Sequence, residues 1–237
     1  TYDNLNMVAK KLATITAVTS EINEDSAISI ADEIAAEVAQ AYAESEDQAG
    51  FNGDGSPSFG NIVGVCPKLK GLSATIANIA GLKVAAGNTF AEFLLQDFID
   101  AAGLLPAYAD AGAAWYVHRK FYFGTMLRTA LVGATNLAIG GIVTTGADGR
   151  PLYLGYPVNF TQVLPVADAN SQIAALFGNL ELAAILGDRR NRTLFADPYS
   201  LATSDQIRVK STERVDLNVH SVGNASATAA DRVPGPI

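Results

Sequence analysis

The sequence predicts an α+β fold. Alternating, β-branched-rich segments lie near both ends (Asn6–Ile22 and Gln206–Val222). A long alanine-rich amphipathic helix spans Ser26–Ala49, and short apolar strands and helices separated by Gly/Pro turns fill the stretch between.

In Asn6–Ile22, Leu12, Thr14, Thr16 and Val18 fall on one face and Ala13, Ile15 and Ala17 on the other, which favours a strand. The run "NEDS" then offers a cap. Through Ser26–Ala49, Ile30, Ile34, Val38 and Ala41/Tyr42 form one stripe, with Asp32, Glu33, Glu37, Glu44 and Glu46 mostly off it. Small residues at Ala31, Ala35, Ala36 and Ala39 leave room for a second element to approach. A glycine-rich loop, "QAGFNGDGSPSFGNIVGV", follows; Gly50 is expected to close the helix, Gly53 and Gly55 to supply left-handed turns, and Asn61–Val65 to form a short strand. Thr89–Glu92 reads as a capping box ahead of a helix that buries Phe90, Phe93, Leu94, Phe98 and Ala101 and stops at Gly103. "AAWYVHRKF" reads as a buried strand running into a helix over Arg119–Leu131. A turn falls at Ala147–Gly149, and short strands follow at Val158–Thr161 and Leu182–Leu186. In Gln206–Val222, Ile207, Val209, Val215, Leu217 and Val219 alternate with polar neighbours. The last residues, "GNASATAADRVPGPI", are expected to be weakly ordered.

Composition narrows the function. Of the 237 residues, 17% are charged, below the quarter or so usual for a soluble monomer, so either much of the chain is interior or partners cover surface. A net charge of −8 disfavours a general nucleic-acid binder. The basic cluster in "GDRRNR", with Arg189, Arg190 and Arg192, meets acidic groups on a partner chain or forms a solvated turn. No apolar run approaches the ~20 residues of a membrane span, and no signal-peptide pattern is present. A single cysteine, Cys66, excludes an internal disulfide framework.

No catalytic constellation emerges. The glycine-rich loop lacks the Lys-Ser/Thr of a phosphate loop, the third glycine and preceding strand of a dinucleotide fingerprint, and the carboxylates of a calcium loop. His118 and His220 are the only histidines, and no Gly-x-Ser-x-Gly elbow exists. Carboxylate pairs such as Asp97/Asp100 sit at helix-surface spacing. Neither a cofactor nor a metal is expected.

Several motifs occur in a characteristic order: "AAEVAQAYAESEDQAGFNGDGSPSFGNIVGV" (35–65), "AAWYVHRKF" (113–121), "GRPLYLGYPVNFTQVLP" (149–165), "FGNLELAAILGDRRN" (177–191) and "STERVDLNVHSVGNAS" (211–226). This set resembles the major capsid proteins of tailed bacteriophages with the Hong Kong 97-type fold. The resemblance implies a structural, non-enzymatic subunit. Its peripheral domain would hold the long spine helix and comprise residues 1–65 and 188–226; residues 66–187 would form an axial domain and 227–237 a flexible tail. It further implies self-assembly into hexamers and pentamers of an icosahedral virion shell, assembled in the bacterial cytoplasm. Packaged double-stranded DNA would be touched only non-specifically, and scaffold, portal or decoration proteins are candidate partners. Ile30, Ile34, Val38, Gly53, Gly55, Gly140, Gly141, Arg189, Arg190 and Arg192 are the structural and assembly candidates, with Gly140 and Gly141 in a loop at the capsomer centre.

The sequence departs from the family in two respects. The chain starts at Thr1, at the strand that precedes the spine helix, so the family's N-terminal arm and extended hairpin loop are expected to be missing and closed shells are not expected from this piece. The type member's Lys–Asn crosslink is not expected either, because ungapped alignment puts Asp205 at its asparagine and Thr212 at its glutamate. An encapsulin-type compartment shell is the alternative reading. A small-ligand enzyme using the glycine-rich loop is the remote one.

Overall fold

The structure is a computed structural model that describes residues 5–25, 30–85, 87–133 and 142–237. The chain divides into two compact units, Thr1–Gly64 with Leu186–Asn218, and Val65–Ile185 with Val219–Ile237.

The first unit is built on the two alternating segments. Strand β1 (Lys10–Thr19) pairs antiparallel with β8 (Gln206–Val219), setting Leu12 opposite Glu213 and Ile15 opposite Lys210. Strand β7 (Ala184–Asp197) completes the order β1-β8-β7. Leu12, Thr14, Thr16 and Val18 turn toward the covered face of β1 and Ala13, Ile15 and Ala17 toward solvent, as their alternation predicts. The strand is shorter than the expected 6–22, because Ser20–Asp25 coils into a short helix, α1.

Helix α2 (Ile30–Asn52, 23 residues) is about 35 Å long at ~1.5 Å per residue. Ile30 and Ile34 are half-buried and Val38, Tyr42 and Ala49 buried, so the stripe continues through Tyr42 while Ala41 is exposed. Residues 26–29, where the sequence places the helix start, lie outside the described residues. Gly50 does not close α2, which continues through it to Asn52.

The glycine-rich loop corrects two further expectations. Gly55 is left-handed at φ 82°, but Gly53 is not. Gly53 is a close-approach residue, since a Cβ there would meet the Ala49 carbonyl oxygen at 2.4 Å and that of Ile62 at 2.6 Å. Asn61–Val65 is reduced to a single bridge between Asp54 and Val63, and Val65 opens helix α3 (Val65–Lys70).

The second unit is organised by a mixed sheet, β3-β4-β5-β2-β6. Its strands are β2 (Ala114–Val117), β3 (Val143–Thr145), β4 (Pro151–Tyr153), β5 (Tyr156–Phe160) and β6 (Ala175–Gly178). Strand β2 pairs parallel with β5 and antiparallel with β6. β5 starts at Tyr156, so Pro157 lies within the strand that the sequence placed beyond it. The predicted capping box forms, with the Thr89 N–H donating to Glu92 Oε2 at 2.9 Å, but it caps only the 3₁₀ turn Phe90–Glu92. The chain is extended at Phe93 and Leu94 before helix α4 (Leu95–Gly103) begins, which leaves Leu94 56% exposed where burial was expected. The predicted helix after β2 forms as α5 (Arg119–Phe121), a π-helical turn Tyr122–Met126 and α6 (Leu127–Gly133).

Phe98, Trp115, Val117, Phe121, Tyr122, Met126, Tyr153 and Val158 form the core of this unit. Phe98 meets Trp115 and Tyr153 edge-on, at centroid separations of 5.8 and 5.4 Å. Two buried polar ends in it are paired: the Trp115 indole N–H donates to the Tyr153 carbonyl at 3.1 Å, and the Tyr153 and Thr129 hydroxyls are 3.1 Å apart.

The C-terminal tail is not loose. Gly235, Pro236 and Ile237 are buried, the Asn179 N–H donates to the Pro236 carbonyl at 2.7 Å, and Gly223 bridges Pro234. Residues 219–226, expected with the first unit, and the tail belong to the second.

Candidate assembly surface and buried charge cluster

The basic cluster does not form a turn. Arg189, Arg190 and Arg192 lie in the middle of β7, nearly all of whose residues are exposed. Leu182–Leu186 is not one strand either: Asn179 accepts the Glu181 N–H at 3.0 Å and starts a helical turn, α7 (Leu180–Ala183), with β7 beginning after it. Along β7 and the following turn, Leu186, Leu194, Phe195 (64% exposed) and Tyr199 (86% exposed) project into solvent. β7 stands at the end of the strand order, so among the described residues one of its edges has no neighbouring strand. A long edge strand carrying large apolar side chains is a surface that another chain pairs with or covers. Arg189 and Arg190 lie on it and enter no ion pair among the described residues.

Arg192 behaves differently. Its Nε donates to Glu213 Oε2 at 2.7 Å, and its guanidinium lies 5.3 Å from the centre of the Tyr42 ring and 4.0 Å from Glu46 Oε1. This brings together α2 (Tyr42, Glu46), β7 (Arg192) and β8 (Ser211, Glu213). Glu213 is 5% exposed and Ser211 1%. Both are in phase with Val209 and Val215, so the alternation of β8 puts two polar side chains on its buried face. Alternation of Val209 and Val215 marks the apolar members of that face, and the same parity places Ser211 and Glu213 on it, a signal that apolar periodicity alone does not use. The carboxyl of Glu46 is pushed up to about 7, first by burial and then by the neighbouring Glu213 carboxyl, with Asp188 adding and Arg192 opposing. The hydroxyls of Tyr42 and Ser211 and Oε1 of Glu46 are buried without a hydrogen-bond partner among the described residues.

The glycine-rich loop spends its amides on itself. Gly53 N–H donates to Ala49, Gly55 to Ile62, Gly60 to Pro57, Asn61 to Ser56 and Gly64 to Gly53. A phosphate cradle needs such amides free and convergent, so this loop is a turn. Gly140 and Gly141 lie outside the described residues; in the described part of their loop, Gly146 and Arg150 close a hairpin around Ala147–Gly149. His118 Nδ1 accepts the Lys120 N–H at 3.1 Å as a helix cap. The second unit holds a cavity of about 520 Å³ lined by Phe90, Phe93, Trp115 and Phe177. The charged groups along it are engaged, Lys83 with Asp100 at 2.6 Å and Asp97 with the Leu94 N–H at 3.0 Å. Among the described residues no group of three His, Cys, Asp or Glu could hold a metal, and no helix is long and apolar enough to cross a membrane.

The phage capsid family model matches residues 1–223. The chain belongs to the phage capsid family. It is a structural capsid protein with an α+β, Hong Kong 97-type fold. A search of curated proteins finds no match. Among solved structures, a capsid of an empty GTA particle is 23% identical with a TM-score of 0.64, over 92% of this chain and 70% of the other. The structure from Mycobacterium phage Cain is 18% identical with a TM-score of 0.60, over 98% and 72%. The holo-SrpI encapsulin complex from Synechococcus elongatus PCC 7942 is 10% identical with a TM-score of 0.59, over 90% and 70%.

Proposed function

We propose that this capsid protein is the major head subunit of a tailed bacteriophage or prophage, assembling into hexamers and pentamers of an icosahedral shell around double-stranded DNA. The unit built from α2 and the three-stranded sheet acts as the peripheral domain and the mixed-sheet unit as the axial domain. The subunit's role is architectural, with no catalytic step. The observation that carries the reading is the exposed edge of β7, with Leu186, Leu194, Phe195 and Tyr199 outside any core in a chain of the capsid family. A monomer gains nothing from that exposure, whereas a stable contact burying about 1,600 Å² would use it. Scaffold, portal or decoration proteins are further partners, and the acidic balance suits loose, non-specific contact with DNA.

Electron microscopy and sedimentation of the full-length gene product expressed alone test this. Shell-like particles in the megadalton range are expected. A species that stays monomeric at tens of micromolar rejects the reading. The likeness to the encapsulin complex supports an enclosed-cargo shell as the second reading. Particles purified from the native host separate the two: double-stranded DNA inside supports a phage head, and a protein cargo supports a compartment.

A further inference from the structure

Near its C-terminal end α2 is fastened to the sheet by a charge cluster whose groups do not balance. Two carboxyls, Glu46 from α2 and Glu213 from β8, converge on one guanidinium, that of Arg192 from β7. Among the described residues, the other charged or titratable groups acting on them are Asp188 on β7 and Tyr42 on α2. β1 sets the uncharged Leu12 opposite Glu213 and Thr14 opposite Ser211. With both carboxyls ionised, the cluster of Glu46, Glu213, Asp188 and Arg192 carries three negative charges against one positive. With one proton on Glu46, the two carboxyls can hydrogen-bond to each other while Glu213 keeps its contact with Arg192.

We propose that Glu46, Glu213 and Arg192 form a proton-operated latch, closed while the two carboxyls share a proton and loosened when both ionise, which sets how firmly the C-terminal half of α2 is held to the sheet. The contacts on either side concentrate the effect there. Arg192 reaches over the Tyr42 ring and toward the Ala39 carbonyl at 3.5 Å, so the same side chain that chooses between the carboxyls also braces the helix. The buried hydroxyls of Tyr42 and Ser211 beside it have no hydrogen-bond partner among the described residues and add no polar fastening of their own. The upward displacement of the Glu46 carboxyl puts the transition close to neutral pH. The latch is a property of the single chain and operates whether or not shells form.

Hydrogen exchange of the unassembled chain between pH 6 and 8.5, corrected for intrinsic exchange, reads it directly. Protection of the amides at residues 43–52 is expected to fall about tenfold across that range in the wild type. Glu46→Gln, nearly the same shape with no charge to gain, should keep protection within about twofold. Glu37→Gln, on the exposed face of α2, serves as the charge control and should respond like the wild type. A flat wild-type profile, a Glu46→Gln variant that still loses tenfold, or a control that flattens as well would each overturn the proposal. Carboxyl carbon NMR gives a second readout that needs no variant: a Glu46 midpoint in the ordinary carboxylate range would also overturn it.

Discussion

Replacing Gly53 by alanine adds one methyl group where backbone closes in from both sides. Its Cβ would sit 2.4 Å from the Ala49 oxygen and 2.6 Å from the Ile62 oxygen. An ordinary carbon–oxygen contact needs roughly 3.4 Å or more, so the chain must open by nearly an ångström. Neither oxygen is free to move, because Ala49 accepts the Gly53 N–H at 3.0 Å and Ile62 accepts the Gly55 N–H at 2.9 Å. Overpacking of this kind costs about 1–3 kcal/mol, and one weakened hydrogen bond about 1 kcal/mol more. Reduced freedom of the unfolded chain returns roughly 0.4–1 kcal/mol. The net expectation is a loss of about 2–3 kcal/mol, read as a lowered midpoint in urea denaturation at constant slope.

Gly124→Ala is the matched control. Gly124 lies in helical backbone, has no positive φ, and a Cβ there meets nothing within 4 Å. It should be neutral or stabilise by up to about 1 kcal/mol. The reasoning fails if Gly53→Ala is as stable as the wild type within about 0.5 kcal/mol, or if both variants lose the same amount.

The remaining predictions concern α2, Glu46, Cys66 and the tail. Val38→Asp places an unpaired charge at a buried position and should cost at least about 3 kcal/mol, while Ile34→Asp, only half-buried, should cost less; thermal melts rank them. The Glu46 carboxyl is raised in the native state, from 4.5 to about 7, so its contribution is fully present below pH 4.5 and is lost as pH rises through about 7. Discounted for its partial exposure, this makes Glu46→Gln more stable than the wild type by about 1–2 kcal/mol at pH 8, with no gain at pH 4, by denaturant titration at each pH. Burial pushes the Cys66 thiol up to about 12, so at pH 8 the folded chain should react with a thiol reagent at least about a hundredfold more slowly than the unfolded chain. Deleting residues 233–237 removes the buried Pro236 and Ile237 and the acceptor for the Asn179 N–H, and should lower the melting temperature of the second unit measurably by calorimetry.

What the sequence discloses and what it hides follow from which interactions are local. Alternation in β1 and the four-residue spacing of Ile30, Ile34, Val38 and Tyr42 are imposed by strand and helix geometry, and the structure keeps both. The end of α2 is different. Gly50 is a helix stop by propensity, yet the helix runs past it, and the loop beyond folds back so that the Ile62 carbonyl meets Gly53; that approach from another segment has no signature in the local sequence. The tail misleads for a related reason: a small-residue, proline-rich segment has little preference of its own, and its order comes from the Asn179 and Gly223 backbone it pairs with. Apolar runs mislead in the opposite direction. Leu182 and Leu186 read as the ends of an apolar strand, yet both are exposed, because an apolar run reports burial without saying by what, and in a subunit built to associate, part of that burial belongs to other copies. Polar residues on a buried face are the converse signal. Glu213 stands in phase with Val209 and Val215, which alone marks it as a buried acid in need of a partner. The partner, Arg192, lies 21 residues away on another strand, and the competing Glu46 on a helix of distant sequence. The sequence can therefore say that a charge is buried at Glu213, while only the fold can say that two acids there contend for one arginine.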